Sequence, residues 1–555
     1  MNNYSKKEIT KKLEEAISSS RRNSNLYLII ASIIFIFSNI GTLTPLTGIP
    51  VFFYNHKYLC KNSTTNNFDI VCSQKYICSN NKKFGIEYII NKKIDANIQS
   101  FISSYNLECS RMKKTLLGSS FFLGQLIGTI IYPYLVSYFG IINSLSINYF
   151  GIFISYLFMI KFNYYLFILI FYNLSSLAFQ ICVLGYKQYI VEMSDTRNRP
   201  LYLLFNLLAQ IFSGFFVVLI SYITLDYKYI FITSSIICFI GSILLKIFIV
   251  ESIRILFIQE KIDKLMQNLE YISKINKSEE YFEEWKNNNQ NIFYDNINNN
   301  LNLNNENLKP LIDINKNEIY EIDKIDNISI NLDKINYLTI LNYPSQVKLI
   351  ILFSFATFYV NYCLVLAQFE IVKQNKFFIS LLEGYICDMF GYIFGILITE
   401  KKDYTRKSCF LFLIILLIFI FIIQLLLYSY HNQFIFIFLR IFINSLDANF
   451  NLYNFESFPT LTRSTGVAIN RIFGKFFNLG TPLIIINYAK LGYLFGLLFG
   501  LILFLLSIVL SPKENMEHTI NEFPLEIINE YEKRKLKEVN NKNQNKDEEE
   551  YLLKE

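Results

Sequence analysis

The segment CFLFLIILLIFIFIIQLLLYS (409–429) decides the fold. It carries no charge over a length that crosses the hydrocarbon core as a helix, which takes about 20 residues at roughly 1.5 Å each. Comparable apolar windows recur near 26–46, 115–136, 144–161, 165–186, 201–224, 229–250, 347–368, 377–399, 433–454, 468–488 and 491–510. About twelve membrane helices are therefore expected, in two groups of six over 26–250 and 347–510, with a polar stretch at 251–346 between them. Composition agrees, because a chain that is 52% hydrophobic and only 17% charged is too apolar for a soluble protein of 555 residues. The expected fold class is an all-α integral membrane bundle of two six-helix halves, the layout of a transporter built from repeats.

The net charge of +7 lies mostly in the loops and so reads as topology, with no nucleic acid expected as a partner. Lys6, Lys7, Lys11, Lys12, Arg21 and Arg22 precede the first span. Arg197 and Arg199 follow the fourth, Lys401, Lys402, Arg406 and Lys407 the eighth, and Arg463 the tenth. Twelve crossings put all of these on one side, so the N-terminal residues 1–25, the central loop 251–346 and the tail 511–555 are expected in the cytoplasm. The run from Leu26 follows a long charged stretch and lacks a small-residue cleavage site, so it reads as a retained span.

The opposite loop, 51–114, holds Cys60, Cys72, Cys78 and Cys109 and the sequon Asn62-Ser63-Thr64, a candidate glycosylation site. In an oxidising compartment an even count of cysteines predicts two disulfides, with three connectivities open. Cys182, Cys238, Cys363, Cys387 and Cys409 are scattered in or beside spans and read as packing residues. In the central loop, helical periodicity over 252–276 puts Ile255, Leu256, Ile262, Leu265, Leu269 and Ile272 on one face, fit to lie on the bundle ends or the headgroups. The Asn-rich segment around 287–307 reads as disordered linker.

Four motifs resemble the organic cation, anion and carnitine transporters of the major facilitator superfamily. They are SYNLECSR (104–111), VESIRILF (250–257), CDMFGYI (387–393) and YNFESFPTLTRSTG (453–466), and NFDIVCSQ (67–74) looks similar to the first. VESIRILF keeps Glu251, Ser252 and Arg254 of the family's signature but neither of its prolines, and this signature is shared with sugar porters. The resemblance implies a major-facilitator bundle whose cytoplasmic-end charges gate alternating access: Glu192, Arg197, Glu251 and Arg254 in the first half, and Glu400, Arg406, Glu456 and Arg463 in the second. The bland reading of these residues is that they cap helices and mark the interface. One departure is the loop YLVSYFGII (134–142), where the family carries Asp and Arg and this chain retains only Gly140 with the aromatic before it. The counterpart ITEKKDYTRK (398–407) keeps its charges but lacks the glycine.

An ionisable side chain at membrane depth costs several kcal/mol unless paired or wet, so each is a functional candidate. Glu383 and Asp388 in the eighth span, Asp447 in the tenth and Lys475 in the eleventh stand out. Lys475 is a candidate for binding a substrate carboxylate, and the resemblance puts it where relatives that carry anions and zwitterions tend to have Arg. The bland reading pairs it with Asp447. Asp388 reads either as a proton or cation site or as an acceptor for neighbouring helices. Tyr359 and Tyr362 in the seventh span are candidates for stacking on a substrate, although most such aromatics face lipid or other helices.

No phosphate-binding loop occurs, and His56, His431 and His518 are far apart, so neither a His-based metal site nor a His-dependent triad is expected. The reading is therefore a secondary transporter, with no enzymatic activity and no cofactor. It would move a small organic ion (cation, anion or zwitterion such as carnitine) by alternating access, uncoupled or coupled to H+ or Na+. A monomer is expected, in the plasma membrane or, as the alternative, in an endomembrane. The alternatives are a sugar porter and a transporter-like receptor or scaffold that no longer translocates.

Overall fold

A computed structural model of the chain describes residues 6–56, parts of the following loop (58–61, 68–72, 77–78 and 88–90), 98–289 apart from 163, 195–198 and 260, and 344–511 apart from 373–376, 401–404, 428–432, 459 and 488. Side-chain burial is not described at a few helix ends, among them Glu400 and Arg463. The sequon Asn62, Arg197, most of the Asn-rich segment and the tail after 511 lie outside the described residues.

Twelve helices form the two halves. The first half comprises α1 (Leu26–Thr42), α2 (Arg111–Phe139), α3 (Ile141–Lys161), α4 (Tyr165–Met193), α5 (Arg199–Thr224) and α6 (Tyr227–Phe248). The second comprises α7 (Pro344–Val372), α8 (Phe377–Glu400), α9 (Arg406–Leu426), α10 (Gln433–Ser457), α11 (Thr460–Asn478) and α12 (Ala489–Leu510). Among the described residues, ten of them are long and apolar enough to cross a membrane. The other two depart from the expected spans for physical reasons. After α1, two short helices, Thr44–Thr47 and Ile49–Phe52, each carry proline in the first turn, where a missing N–H is tolerated, so the chain continues inside the bundle in broken segments. α11 begins at Thr460, well before the expected 468, and its Arg471 and Lys475 depress its mean hydropathy. A turn at Gly480 then divides it from Thr481–Asn487.

The packing repeats between the halves. α2 lies on α4, α3 on α6 and α1 on α5; in the second half α8 lies on α10, α9 on α12 and α7 on α11. The two large contacts between halves, α5 with α8 and α11 with α2, exchange under the same correspondence. That pseudo-symmetry is the signature of an internal repeat. Glycine pairs four residues apart make it possible. A methyl at Gly128 on α2 would lie 2.4 Å from the Leu177 carbonyl on α4, and one at Gly395 on α8 would lie 2.7 Å from that of Ser445 on α10.

One face of the bundle carries the loop between α1 and α2, and we call it the Cys-loop face. The loop contains a small antiparallel sheet with strand order β2-β1-β3, made of β1 (Tyr58–Lys61), β2 (Phe68–Cys72) and β3 (Tyr88–Ile90). Strands this short leave no readable alternation, and the sequence reading did not anticipate them. Two disulfides form, Cys60–Cys72 and Cys78–Cys109, which settles the connectivity left open by spacing. The remaining five cysteines are buried and not disulfide-bonded.

The opposite, terminal face is covered by the helix Lys6–Ser19 and by the segment after α6. The periodicity over 252–276 forms two helices, Ile253–Ile258 and Ile262–Ile275, and the second buries Ile262, Leu265, Met266, Leu269 and Ile272. It docks on α1, where Asn276 accepts from the Tyr27 amide at 2.9 Å and donates to the Ser20 carbonyl at 3.1 Å. A further helical stretch at 279–289 places Arg22 over the Tyr281 ring at 4.3 Å.

Candidate functional site

From Ile181 to Met193, every residue of α4 is buried, so its polar side chains face protein on all sides. α10 contributes asparagines from its terminal half, and α11 contributes Arg471, Lys475 and Asn478, whose spacing of three and four puts them on one face. These surfaces meet between the halves. Lys187 Nζ on α4 and Arg471 Nη2 on α11 both donate to Asn451 Oδ1 on α10, each at 2.8 Å. Asn451 in turn donates to Asp447 Oδ1 at 2.9 Å. Lys475, one turn beyond Arg471, donates to Asn361 Oδ1 on α7 at 2.7 Å. Lys187, Arg471 and Lys475 are all less than one-tenth exposed. In the first half a second chain runs from Tyr132 to Gln188 at 2.6 Å and on to Glu192 at 2.6 Å.

The two ends of this polar layer are closed. At the Cys-loop face, Tyr385 on α8 donates to the Thr47 carbonyl at 2.5 Å, Ser119 on α2 donates to the Leu479 carbonyl at 3.0 Å, and the Tyr54 and Phe377 rings meet edge to face. At the terminal face, Arg199 on α5 reaches Glu456 on α10 at 3.5 Å, and Arg406 holds the other carboxylate oxygen at 3.2 Å. The arrangement is a polar compartment between two half-bundles, latched by hydrogen bonds and rings at one end and by an ion pair at the other.

The expected Lys475–Asp447 pair does not form, because α11 starts earlier than its apolar window. Lys475 lies 15 residues from Thr460 and Asp447 lies 10 residues from Ser457, an axial offset of roughly 7 Å. Asp388 is gripped by Arg440 through both carboxylate oxygens and by Asn444 at 2.7 Å, all within the second half. Glu383 is half-buried towards the Cys-loop end of α8. Tyr362 donates to the Gly492 carbonyl at 2.7 Å and Tyr359 lies against Gly500, so both face α12.

The other terminal-face charges do distinct work. Glu251 caps α3: its oxygens accept from the amides of Ile141 at 2.9 Å and Ile142 at 3.1 Å. Burial pushes its carboxyl up to about 7, against the opposing pull of those amides and that of Ser252. Gly140 has φ of +85°, and a side chain there would meet Glu251 Oε2 at 2.3 Å, which accounts for the glycine that survives in the otherwise uncharged loop. Glu192 accepts from Ser252 at 2.7 Å. Arg254 pairs with Glu14 of the Lys6–Ser19 helix at 2.8 Å.

Sequence reasoning missed Lys187, Arg471 and Arg440. The last two lie inside expected spans, so the rule that singled out Lys475 applies to them equally; Lys187 sits one residue beyond the expected end at 186.

The family model for sugar (and other) transporters matches residues 25–311, more than half of the chain. The chain belongs to that family. No protein of curated function matches it. Among solved structures, this sugar-transporter-family protein is similar to the proton:xylose symporter XylE bound to 6-bromo-6-deoxy-D-glucose, with 13% identity, a TM-score of 0.57, and coverage of 92% of this chain and 98% of that one. XylE from E. coli in a partially occluded inward-open conformation gives 14%, 0.51, 90% and 100%. Identity at this level carries the fold alone, and that fold is the major facilitator bundle. The family member described here is thus a multi-pass integral membrane protein and a secondary transporter, not an enzyme. Its family is broader than the organic-ion carriers that the motifs resemble.

Proposed function

We propose that this transporter carries a small, hydroxyl-rich, sugar-like solute, binding it in the layer between Lys187 and Asn361 and releasing it by alternate opening of the two ends. The observation that carries the reading is that donors and acceptors from both halves converge in one buried layer, between Tyr385–Thr47 at one end and Arg199–Glu456 at the other. Asparagine, glutamine and tyrosine side chains supply paired donors and acceptors, the chemistry that hydroxyls require. The family description and the sugar-related likenesses support the same class. In this reading Arg199, Glu456 and Arg406 form the terminal-face gate, with Glu192, Glu251 and Arg254 bracing the helices beside it. The terminal face is cytoplasmic, and the membrane is the plasma membrane.

The test is counterflow of labelled sugars, sugar acids and organic cations in vesicles carrying the full chain. Saturable exchange of a sugar-class solute, lost when Asn451 is replaced by Leu, is expected. Ligand-induced thermal stabilisation with no flux for any solute overturns transport and favours a receptor.

A further inference from the structure

We infer that the substrate of this site, on the sugar-class reading above, bears a negatively charged group, carboxylate or phosphate, seated between Lys187 and Arg471. Two cations from opposite halves donate to a single neutral oxygen, Asn451 Oδ1. A neutral amide oxygen neutralises neither charge, Asp447 acts on both only through space, and desolvated cations of like sign repel strongly at such separations. Lys475, one turn along the same face of α11, adds a third positive charge, and its hydrogen bond also ends on a neutral amide, that of Asn361.

None of the three forms an ion pair with an acid among the described residues. Asp447, the nearest acid on α10, directs its carboxylate to Asn451. The layer therefore holds more positive than negative charge, in a place where each charge is costly. Arg471 keeps a further donor in hand, because its buried Nε has no hydrogen-bond partner among the described residues. An anionic oxygen pair beside Asn451 would take a two-pronged guanidinium contact and the lysine ammonium together. Because Lys187 belongs to the first half and Arg471 to the second, the same anion would tie the halves together, so binding and closure are coupled through it.

The experiment compares xylose and glucose with gluconate, glucuronate and glucose 6-phosphate, by thermal stabilisation of the purified full chain and by counterflow in vesicles. At least one anionic probe should half-saturate at a tenfold or lower concentration than its neutral counterpart, and the carboxylate and phosphate arms separate the two sources of charge. Lys187→Met and Arg471→Gln should abolish that preference, and Lys187→Arg and Arg471→Lys should keep it, which separates lost charge from lost folding. Neutral sugars binding as tightly as the anions in the wild type overturn the inference and leave the sugar-carrier reading standing. Neither class binding overturns both.

Discussion

Arg199 and Glu456 join the two halves of the bundle at the terminal face, 3.5 Å apart, with the arginine almost fully buried. Arg406 shares the same carboxylate from within the second half, so Glu456 is the hinge of a three-residue latch. Glu456→Gln weakens both contacts and shifts the population towards opening at this face. In a Leu452→Cys background, where the thiol replaces a side chain in the same buried cluster as Leu203 and Leu207, the reaction with a membrane-impermeant maleimide should accelerate on the order of tenfold. An unchanged rate removes the latch.

The buried pair Asp388–Arg440 makes a different prediction. Arg440 is 1% exposed, sits between the Tyr385 and Phe436 rings, and has its partner in the same half. Removing one member leaves a stranded charge, so Asp388→Asn should cost roughly 3–5 kcal/mol in chemical denaturation, whereas Asp388→Leu with Arg440→Met should recover most of it. If the double variant is stable but no longer accumulates solute against a gradient, the pair couples an ion. Full accumulation assigns it to holding α8 on α10.

Glu251 gives the pH dependence its sign. Its carboxyl is raised from 4.5 to about 7, chiefly by burial, so the folded chain binds this proton more tightly than the unfolded chain does. The contribution to stability is complete below 4.5 and is lost as the pH rises through about 7. The melting temperature of the wild type should fall over that window relative to Glu251→Gln. Parallel curves for the two proteins would contradict the assignment.

Gly140→Ala meets two penalties, a positive φ and the Glu251 carboxylate. A loss of about 2 kcal/mol or more is expected from the strain and the displaced cap together. Combining it with Glu251→Ala relieves the collision but not the backbone strain, so thermal melts of the two singles and the double should show non-additivity.

Much of the architecture was legible because a lipid-exposed helix must be apolar over its whole length, and ten helices announce themselves that way. The exceptions are instructive. The chain after Thr42 and α11 are shielded from that constraint by protein, so prolines and charges were admitted there and the apolar windows misplaced the edges. The site was half legible: Lys475 and Asp447 were read from charge at depth, but their partners were not, since an eight-residue difference in where α11 begins shifts every pairing along it. Gly140 and Glu251 are 111 positions apart, and no local pattern announces that one caps the helix started by the other. Tyr359 and Tyr362 were chosen by residue type, which says nothing about which face of α7 looks inward.

Alternating access requires that the two halves rock about the layer at Lys187, Asn451 and Arg471. Paired spin labels on α5 and α8 test it: Leu201→Cys with Leu397→Cys at the terminal face, and Tyr222→Cys with Ile379→Cys at the Cys-loop face. All four native positions are exposed, and the native cysteines outside the two disulfides are buried. Alternating access predicts distance distributions that move in opposite senses when substrate is added, one end lengthening as the other shortens. Single, unmoving distances at both faces, across every solute that binds, would contradict it.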